Sequence, residues 1–96
     1  MVKIIISENK KNYNIANLLS GDTRAQDLRY LLTINNNPPM GVEDYPAADW
    51  LFVVSRYDRL KTKNDPVWEI SSFTPSEILE VWPIQNGINL YLMKKT

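Results

Sequence analysis

Two residue types that carry much of protein chemistry are absent from this chain of 96 residues. It contains no histidine and no cysteine. Without cysteine, the disulfide framework of small secreted domains cannot form, which favours an intracellular origin. Metal binding would depend on oxygen ligands alone, and the chain has no loop of the Asp-x-Asp-x-Asp-Gly kind. We therefore expect neither a metal ion nor a cofactor.

An excess of charge of one sign and long apolar runs are also missing. Eleven basic residues balance eleven acidic residues, whereas nucleic-acid-binding domains usually have a basic patch. No stretch approaches the roughly 20 apolar residues of a membrane span. The N-terminus lacks the apolar core and the cleavage site of a signal peptide. These absences argue against nucleic acid as the main partner, against membrane insertion and against secretion.

No arrangement of residues predicts catalysis. Carboxylates are present, but none forms a recognisable acid–base pair, and nothing marks a base that would activate a serine or threonine. Gly21-Asp22-Thr23 could belong to a phosphate-binding loop, but with no lysine after it a helix corner followed by a cap is the simpler interpretation. The composition, 44% hydrophobic and 23% charged, is that of a folded protein. We expect a non-enzymatic single domain over residues 1–96.

The N-terminal third predicts one strand and two helices. The β-branched run Val2–Ser7 is typical of a strand. In Tyr13–Leu19, apolar residues recur at i, i+3 and i+4, which indicates a helix that ends at Gly21. Thr23 and Gln26 match a capping box, which would start the second helix. The Asn-Asn-Asn-Pro-Pro run that begins at Asn35 would end it. The predicted buried side of this helix consists of Ala25, Leu28, Leu31 and Leu32.

The middle of the chain has a weaker pattern. Pro38–Pro46 is predicted as a loop. Ala47–Leu60 contains both a helical stripe and a strand core, and its β-branched and aromatic content favours the strand. Val67–Ile70 is predicted as a short second strand, which could form a hairpin with the first.

The C-terminal part predicts a helix, a turn and a strand. Thr74-Pro75-Ser76-Glu77 has the pattern of a helix start. That helix would run from Pro75 to about Val81, because Pro83 blocks its continuation. Asn86-Gly87 is a turn signal. Apolar residues then alternate over Ile88–Met93, as in a strand.

The predicted order of strand, helix, Gly-Asp corner, helix, Asn stop and closing strand resembles that of the LysM domain. The resemblance is to the variant found in phage tail and baseplate proteins, with a small helix–corner–helix unit like that of the baseplate wedge proteins of T-even-type phages. The matching residues are Ile15, Ala16, Leu19, Gly21, Asp22, Leu28, Leu31, Asn35, Pro83, Gly87, Leu90 and Leu92. They cover about half of the chain.

This resemblance implies an α+β fold with a LysM-like strand–helix–helix–strand core. The core would comprise residues 1–36 and 81–96, with its two terminal strands paired antiparallel, and residues 37–80 would form an aromatic-rich insertion. The competing fold is a generic α+β domain, including a β-grasp type in which Val2–Ser7 and Ile88–Met93 pair differently. The resemblance to the LysM domain also implies that the protein is located in the virion, in the tail or baseplate, after synthesis in the host cytoplasm.

Aromatic residues crowd into the second half of the chain. Tyrosine and tryptophan combine a large apolar area with a polar group, so they are favoured in protein interfaces. The alternative is that each of them belongs to the small core. A basic cluster beside them, at Arg56, Arg59, Lys61 and Lys63, keeps nucleic acid as a minor alternative. The candidate interface residues are Trp50, Phe52, Tyr57, Trp68, Phe73 and Trp82.

The function that we predict is structural: a connector that contacts other protein subunits of a larger assembly, with self-association into an oligomer or ring as one form. Such a chain would be a phage tail baseplate component. The first alternative is a small phage-encoded inhibitor of a host defence enzyme, which would act in the host cytoplasm. A weaker alternative is a peptidoglycan binder of the LysM type.

Overall fold

The computed structural model describes residues 1–19 and 21–96. Within these residues, four strands form one mixed sheet that is surrounded by four short α-helices and one 3₁₀ turn. The elements in chain order are α1 (Val2–Glu8), β1 (Tyr13–Asn17), α2 (Gln26–Ile34), the 3₁₀ turn Tyr45–Ala47, β2 (Trp50–Ser55), α3 (Arg59–Lys63), α4 (Trp68–Ser71), β3 (Ser76–Gln85) and β4 (Ile88–Lys95). The prediction of a small single α+β domain is confirmed.

The strands lie in the order β1-β2-β4-β3. β1 is parallel to β2, with Ile15 opposite Phe52, and β4 is antiparallel to both β2 and β3. Two parallel neighbours need a crossover connection, and the segment that contains α2 supplies it. β2 and β4 are therefore central, and β1 and β3 are the edge strands.

Both faces of the sheet are covered, because successive side chains of a strand point to opposite faces. On one face, α1 and α2 pack with a core whose buried residues are Ile5, Tyr13, Ile15, Ala25, Leu32, Phe52, Val54, Ile88, Leu90 and Leu92. On the other face, α4 and the loop before β2 pack with a core whose buried residues are Ala16, Tyr45, Ala48, Leu51, Val53, Ile70, Phe73, Tyr91 and Met93.

The predicted strand Val2–Ser7 was wrong, because this segment is helix α1. Ile5 is buried against the sheet, and Asn9 ends the helix in the left-handed conformation, with its N–H donating to the carbonyl of Ile6 (3.1 Å). The intrinsic preference of isoleucine for strands is weak, and packing on the sheet overrides it.

The predicted helix Tyr13–Leu19 was also wrong, because its first residues form strand β1. Ile15 and Ala16 are fully buried on opposite faces of the sheet, which only an extended strand allows. An apolar run this short fits a helical or an extended spacing equally well. Pairing with β2 decides between them.

The second helix exists, but it starts later than predicted. Its first residue is Gln26, whose N–H donates to the Asp22 carboxylate (2.8 Å). Thr23 therefore does not form the expected capping box, and its hydroxyl donates to Glu69 instead (3.1 Å). The helix ends at Ile34, immediately before the predicted stop. Leu31 was predicted to be buried and is 42% exposed.

Two predictions in the middle and C-terminal parts are corrected. Val67–Ile70 is not a strand, because residues from Trp68 to Ser71 form helix α4. The predicted helix from Pro75 to Val81 is instead the beginning of strand β3. Pro83 is tolerated in this strand because β3 lies at the edge of the sheet, where proline is normally found, and the register with β4 shifts just after it.

Three other predictions are confirmed. Ala47–Leu60 contains a strand, β2, and the final strand β4 alternates as expected, with Ile88 and Leu90 in one core. Asn86 and Gly87 form the turn between β3 and β4, with φ of 31° and 79°. Positive φ at both central residues is typical of the tight turn that joins two antiparallel strands.

The structure does not confirm the LysM-like core. Val2–Glu8 is a helix, so the N-terminal strand that was expected to pair with the closing strand does not exist. The closing strand β4 pairs with β2 and β3 instead. The expected insertion, residues 37–80, contains the central strand β2 and therefore belongs to the sheet itself.

Candidate functional site: an apolar groove between α1 and α2

The six predicted interface residues do not form one surface. Phe52 and Phe73 are fully buried, in the cores on the two opposite faces of the sheet. Trp82 is partly buried and stacks on Phe52, with ring centroids 6.4 Å apart. The prediction that Phe52 and Phe73 face a partner is therefore corrected, since both are structural.

The other three aromatic residues lie at separate places on the surface. Trp50 begins β2, and the amino group of Lys10 lies 4.0 Å from its ring centroid. Tyr57 lies beyond the other end of the same strand, whose six residues span about 17 Å at 3.3 Å per residue. Trp68, on α4, is exposed and packs edge-on against Tyr45. The three side chains therefore cannot bind a partner as one compact patch.

A groove of about 680 Å³ opens between α1 and α2. Strand β1 and the segment after it contribute Asn17 and Leu19, and β2 contributes Val54. α1 contributes its first residues and α2 the residues facing them. The helix residues of the lining are Val2, Lys3, Asp27, Leu28 and Leu31, and Met1, Asp22 and Ala25, which precede the two helices, complete it. The lining is mostly apolar, with charged side chains confined to Lys3, Asp22 and Asp27.

The groove lies where the parallel strands β1 and β2 end. In sheets with parallel strands, the crevice beyond the carboxyl ends of the strands is the usual position of a binding site. Backbone hydrogen bonds fix the chain at the end of β1. The N–H of Leu18 donates to the carbonyl of Val54 (2.8 Å), and the N–H of Asn17 donates to the carbonyl of Thr23 (3.0 Å). These bonds hold the floor of the groove in place.

The outer face of α2 extends the apolar surface beyond the groove. Leu31 lies on the rim, and Ile34 and Tyr30 are 56% and 65% exposed. Residues three and four positions apart on a helix are neighbours, so Leu31 and Ile34 are adjacent and Tyr30 adjoins Ile34. We call Tyr30, Leu31 and Ile34 the outer stripe of α2. It is continuous with the groove through Leu31.

A polar network on the opposite side of α2 fixes this helix to the edge of β1. Arg29 donates to the side chains of Asn14 (2.8 Å) and Tyr45 (3.0 Å) and to the carbonyl of Met40. Tyr45 in turn donates to the carbonyl of Ile15 (2.6 Å). Hydrogen bonds from a charged donor are stronger than neutral ones, so this network makes α2 a firm wall for the groove.

The two tyrosines around Arg29 are strongly perturbed. Burial raises the pKa of Tyr45 to about 12, although the nearby positive charge of Arg29 opposes the shift. Burial likewise raises the pKa of Tyr13 to about 12, again against the charge of Arg29. Both phenols are therefore neutral at physiological pH, and Tyr45 can act as the hydrogen-bond donor that the Ile15 carbonyl requires.

Among residues 1–19 and 21–96, no three acidic residues are placed together so that they could hold a metal ion. In the same residues, none of the helices has the length and the apolar composition needed to cross a lipid bilayer.

Comparison of the chain with protein-family models, with curated proteins and with solved structures finds no match. The candidate site therefore rests on the geometry of this molecule alone.

The residues of the groove were not identified from the sequence. Leu28 and Leu31 were assigned to the buried side of α2, and Leu19 to a helix that does not exist. A signal was nevertheless present, because α2 has apolar residues on two sides. Leu28 and Leu32 face the sheet, whereas Tyr30 and Ile34 face away from it. A helix that packs only on its own sheet needs one apolar side.

Proposed function

We propose that this chain is a protein-binding module that connects other protein subunits of a larger assembly. The observation that carries the proposal is the groove between α1 and α2, whose apolar lining continues into the outer stripe of α2. Folded domains seldom leave a contiguous apolar surface of this kind in contact with water, and where they do it usually marks an interaction site.

The shape of this surface favours a protein over a small molecule. A small-molecule site usually encloses most of its ligand, whereas this groove opens onto exposed Tyr30 and Ile34. A partner that filled only the groove would leave both residues in water. A protein surface can cover the groove and the outer stripe together.

The test uses two leucine variants of the full chain. Leu31 on the rim of the groove is replaced in L31D, and Leu60, a 71% exposed leucine on α3, is replaced in L60D as the matched control. Each tagged protein is cross-linked and recovered from cells that produce the chain naturally, and the proteins captured are quantified by mass spectrometry. We expect the wild-type chain and L60D to retain the same partners and L31D to lose them. Identical capture by all three would overturn the proposal.

A narrower form of the proposal is a phage tail or baseplate component. Its support is the residue resemblance described above, and the order of elements in the fold adds none to it. Mass spectrometry of density-purified particles tests it: a constant copy number relative to a tail protein would support a particle subunit. Absence from particles would instead favour the soluble inhibitor, which needs the same kind of apolar surface.

A further inference from the structure

We infer that the groove accepts one amphipathic helix of the partner protein, with an acidic side chain on its α1 side and a basic side chain on its α2 side. This inference rests on the proposed function and specifies the partner's binding segment. It follows from three features: the paired backbone of the floor, the direction of the outer stripe, and the charges on the two walls.

The backbone at the floor of the groove disfavours an extended partner. Peptides that bind as strands add to a free sheet edge and receive main-chain hydrogen bonds from it. Here the N–H groups of Asn17 and Leu18 are already bonded to the carbonyls of Thr23 and Val54. The described part of the groove thus presents side chains and no free strand edge. A bound segment must satisfy its own backbone hydrogen bonds, as a helix does.

The apolar surface has the dimensions of a helix contact. α2 has nine residues and so spans about 13 Å at 1.5 Å per residue. The groove accounts for one side of this length and the outer stripe for the adjacent side. A partner helix packed across α2 would place apolar side chains from successive turns into the groove and against Ile34, with the i, i+3, i+4, i+7 spacing of helix-in-groove binding.

The walls of the groove differ in charge. Lys3 belongs to the α1 wall and Asp27 to the α2 wall, and neither side chain forms a hydrogen bond or a salt bridge within the described residues. Asp22 has its own role, because it accepts the N–H of Gln26. Opposite charges across an interface select orientation and partner more than they add affinity. Lys3 and Asp27 therefore specify an acidic flank and a basic flank on the partner helix.

The test selects peptides of roughly 15 residues, about four helical turns, from two display libraries against the intact full-length chain. One library has a fixed amphipathic helical background with randomised charged flanks. The other has an alternating, extended background of the same length. Selected peptides are synthesised and bound to the wild-type chain, to L31D and to L60D. Their binding site on the wild-type chain is mapped independently from amide NMR shifts.

We expect the selected peptides to come from the helical library and to shift the amide signals of Leu19, Leu28 and Val54. Their affinity should fall by about tenfold or more for L31D and should be unchanged for L60D. Their flanks carry an acidic residue toward Lys3 and a basic residue toward Asp27. A peptide in which the acidic and basic flanks are exchanged binds the wild-type chain more weakly than the original peptide does. It binds the double variant K3E/D27K about as tightly as the original peptide binds the wild-type chain.

Two other results would overturn the inference in distinguishable ways. Selected peptides from the extended library that shift the amide signals of groove residues and do not bind L31D would exclude the helix but leave the proposed function standing. Selected peptides from either library that bind elsewhere, without shifting the amide signals of groove residues, would count against the groove as an interaction site and so against both proposals. Groove-binding helices with no charge preference would overturn the assigned orientation.

Discussion

The Arg29 side chain joins α2 to β1 and to the loop before β2. It lies on α2, yet its guanidinium bonds to Asn14 on β1 and to Met40 and Tyr45 in the loop before β2. A planar group with several fixed donors suits such a junction, and a lysine with one point charge cannot replace it. The position of the α2 wall therefore depends on one long side chain that crosses the edge of the sheet.

We expect Arg29→Met to lower the free energy of unfolding by about 2–3 kcal/mol, because charge-assisted hydrogen bonds are lost and buried acceptors are left without a donor. Urea denaturation monitored by circular dichroism measures the change. Arg56→Met, at an exposed arginine after β2, is the control and should change stability little. Equal losses in the two variants would contradict the role given to Arg29.

Tyr45 predicts a loss of stability at alkaline pH. Its pKa is raised from 10.0 to about 12 by burial, so the folded state binds its proton more tightly than the unfolded state does. The resulting stabilisation is fully present below pH 10 and is lost as the pH rises from about 10 to about 12. Tyr13 acts in the same direction.

Thermal melts between pH 8 and pH 11.5 test this expectation. The melting temperature of the wild-type chain should be constant from pH 8 to about pH 10 and should fall steeply above pH 10. Tyr45→Phe should be less stable at pH 8, because the Ile15 carbonyl loses its donor, but its decline above pH 10 should be shallower. Parallel declines would show that Tyr45 does not contribute.

At the scale of elements, the turn between β3 and β4 depends on a glycine. Gly87 has φ of +79°, a region that residues with a Cβ rarely adopt, although no atom would obstruct a Cβ there. We expect Gly87→Ala to destabilise the domain by about 1 kcal/mol. Gly87→Asn is the matched control, since asparagine adopts positive φ more readily than alanine does. Denaturation of both variants should show the larger loss for Gly87→Ala.

Helix α1 should depend on burial of one isoleucine. Ile5 is buried against the sheet, whereas Ile34, at the end of α2, is 56% exposed. We expect Ile5→Ala to cost about 2–4 kcal/mol through the cavity that it leaves, and Ile34→Ala to cost well under 1 kcal/mol. Chemical denaturation of the pair provides the comparison. Similar costs at the two positions would mean that α1 does not pack as described.

At the scale of the whole molecule, the groove should be separable from the fold. Leu31 is 42% exposed, and the helix on which it lies is held by Leu32 and Arg29. We therefore expect L31D to keep the fold and to lower the free energy of unfolding by roughly 1–2 kcal/mol, because some buried apolar area is lost and aspartate is a poorer helix former than leucine, while binding at the groove is lost. Calorimetry of the variant measures this, and a loss of several kcal/mol would mean that Leu31 supports the core.

Sequence patterns predicted well where a segment's local preference agrees with its place in the fold. β2 and β4 are β-branched or alternating and lie at the centre of the sheet, where such residues pack best. The Asn86-Gly87 turn and the chain just after α2 require positive φ, at Asn86, Gly87 and Asn36. Few residue types adopt that conformation, so the residue types at these positions identify both features. The class of the fold followed from these elements.

Short segments with conflicting signals could be decided only by tertiary contacts. Val2–Glu8 is rich in isoleucine yet is a helix, because it buries Ile5 on a sheet formed by distant strands. The segment after Thr74 has a helix-start pattern yet forms β3, because β4 offers it a partner. Helix α1 packs on strands that are distant in sequence, and Ser76 at the start of β3 pairs with Lys95 at the far end of the hairpin, so the pattern within either segment does not reveal its neighbour.

The amino-acid sequence by itself determined the class of the domain, its turn at Asn86-Gly87 and its two central strands, because these depend on local preferences. The tertiary structure decided the conformation of α1, β1, α4 and β3 and the position of the candidate site. The groove combines α1, α2 and the ends of β1 and β2, and its shape depends on which residues the sheet leaves uncovered. Which residues stay uncovered depends on how the elements pack together, and the sequence of a single segment does not determine it.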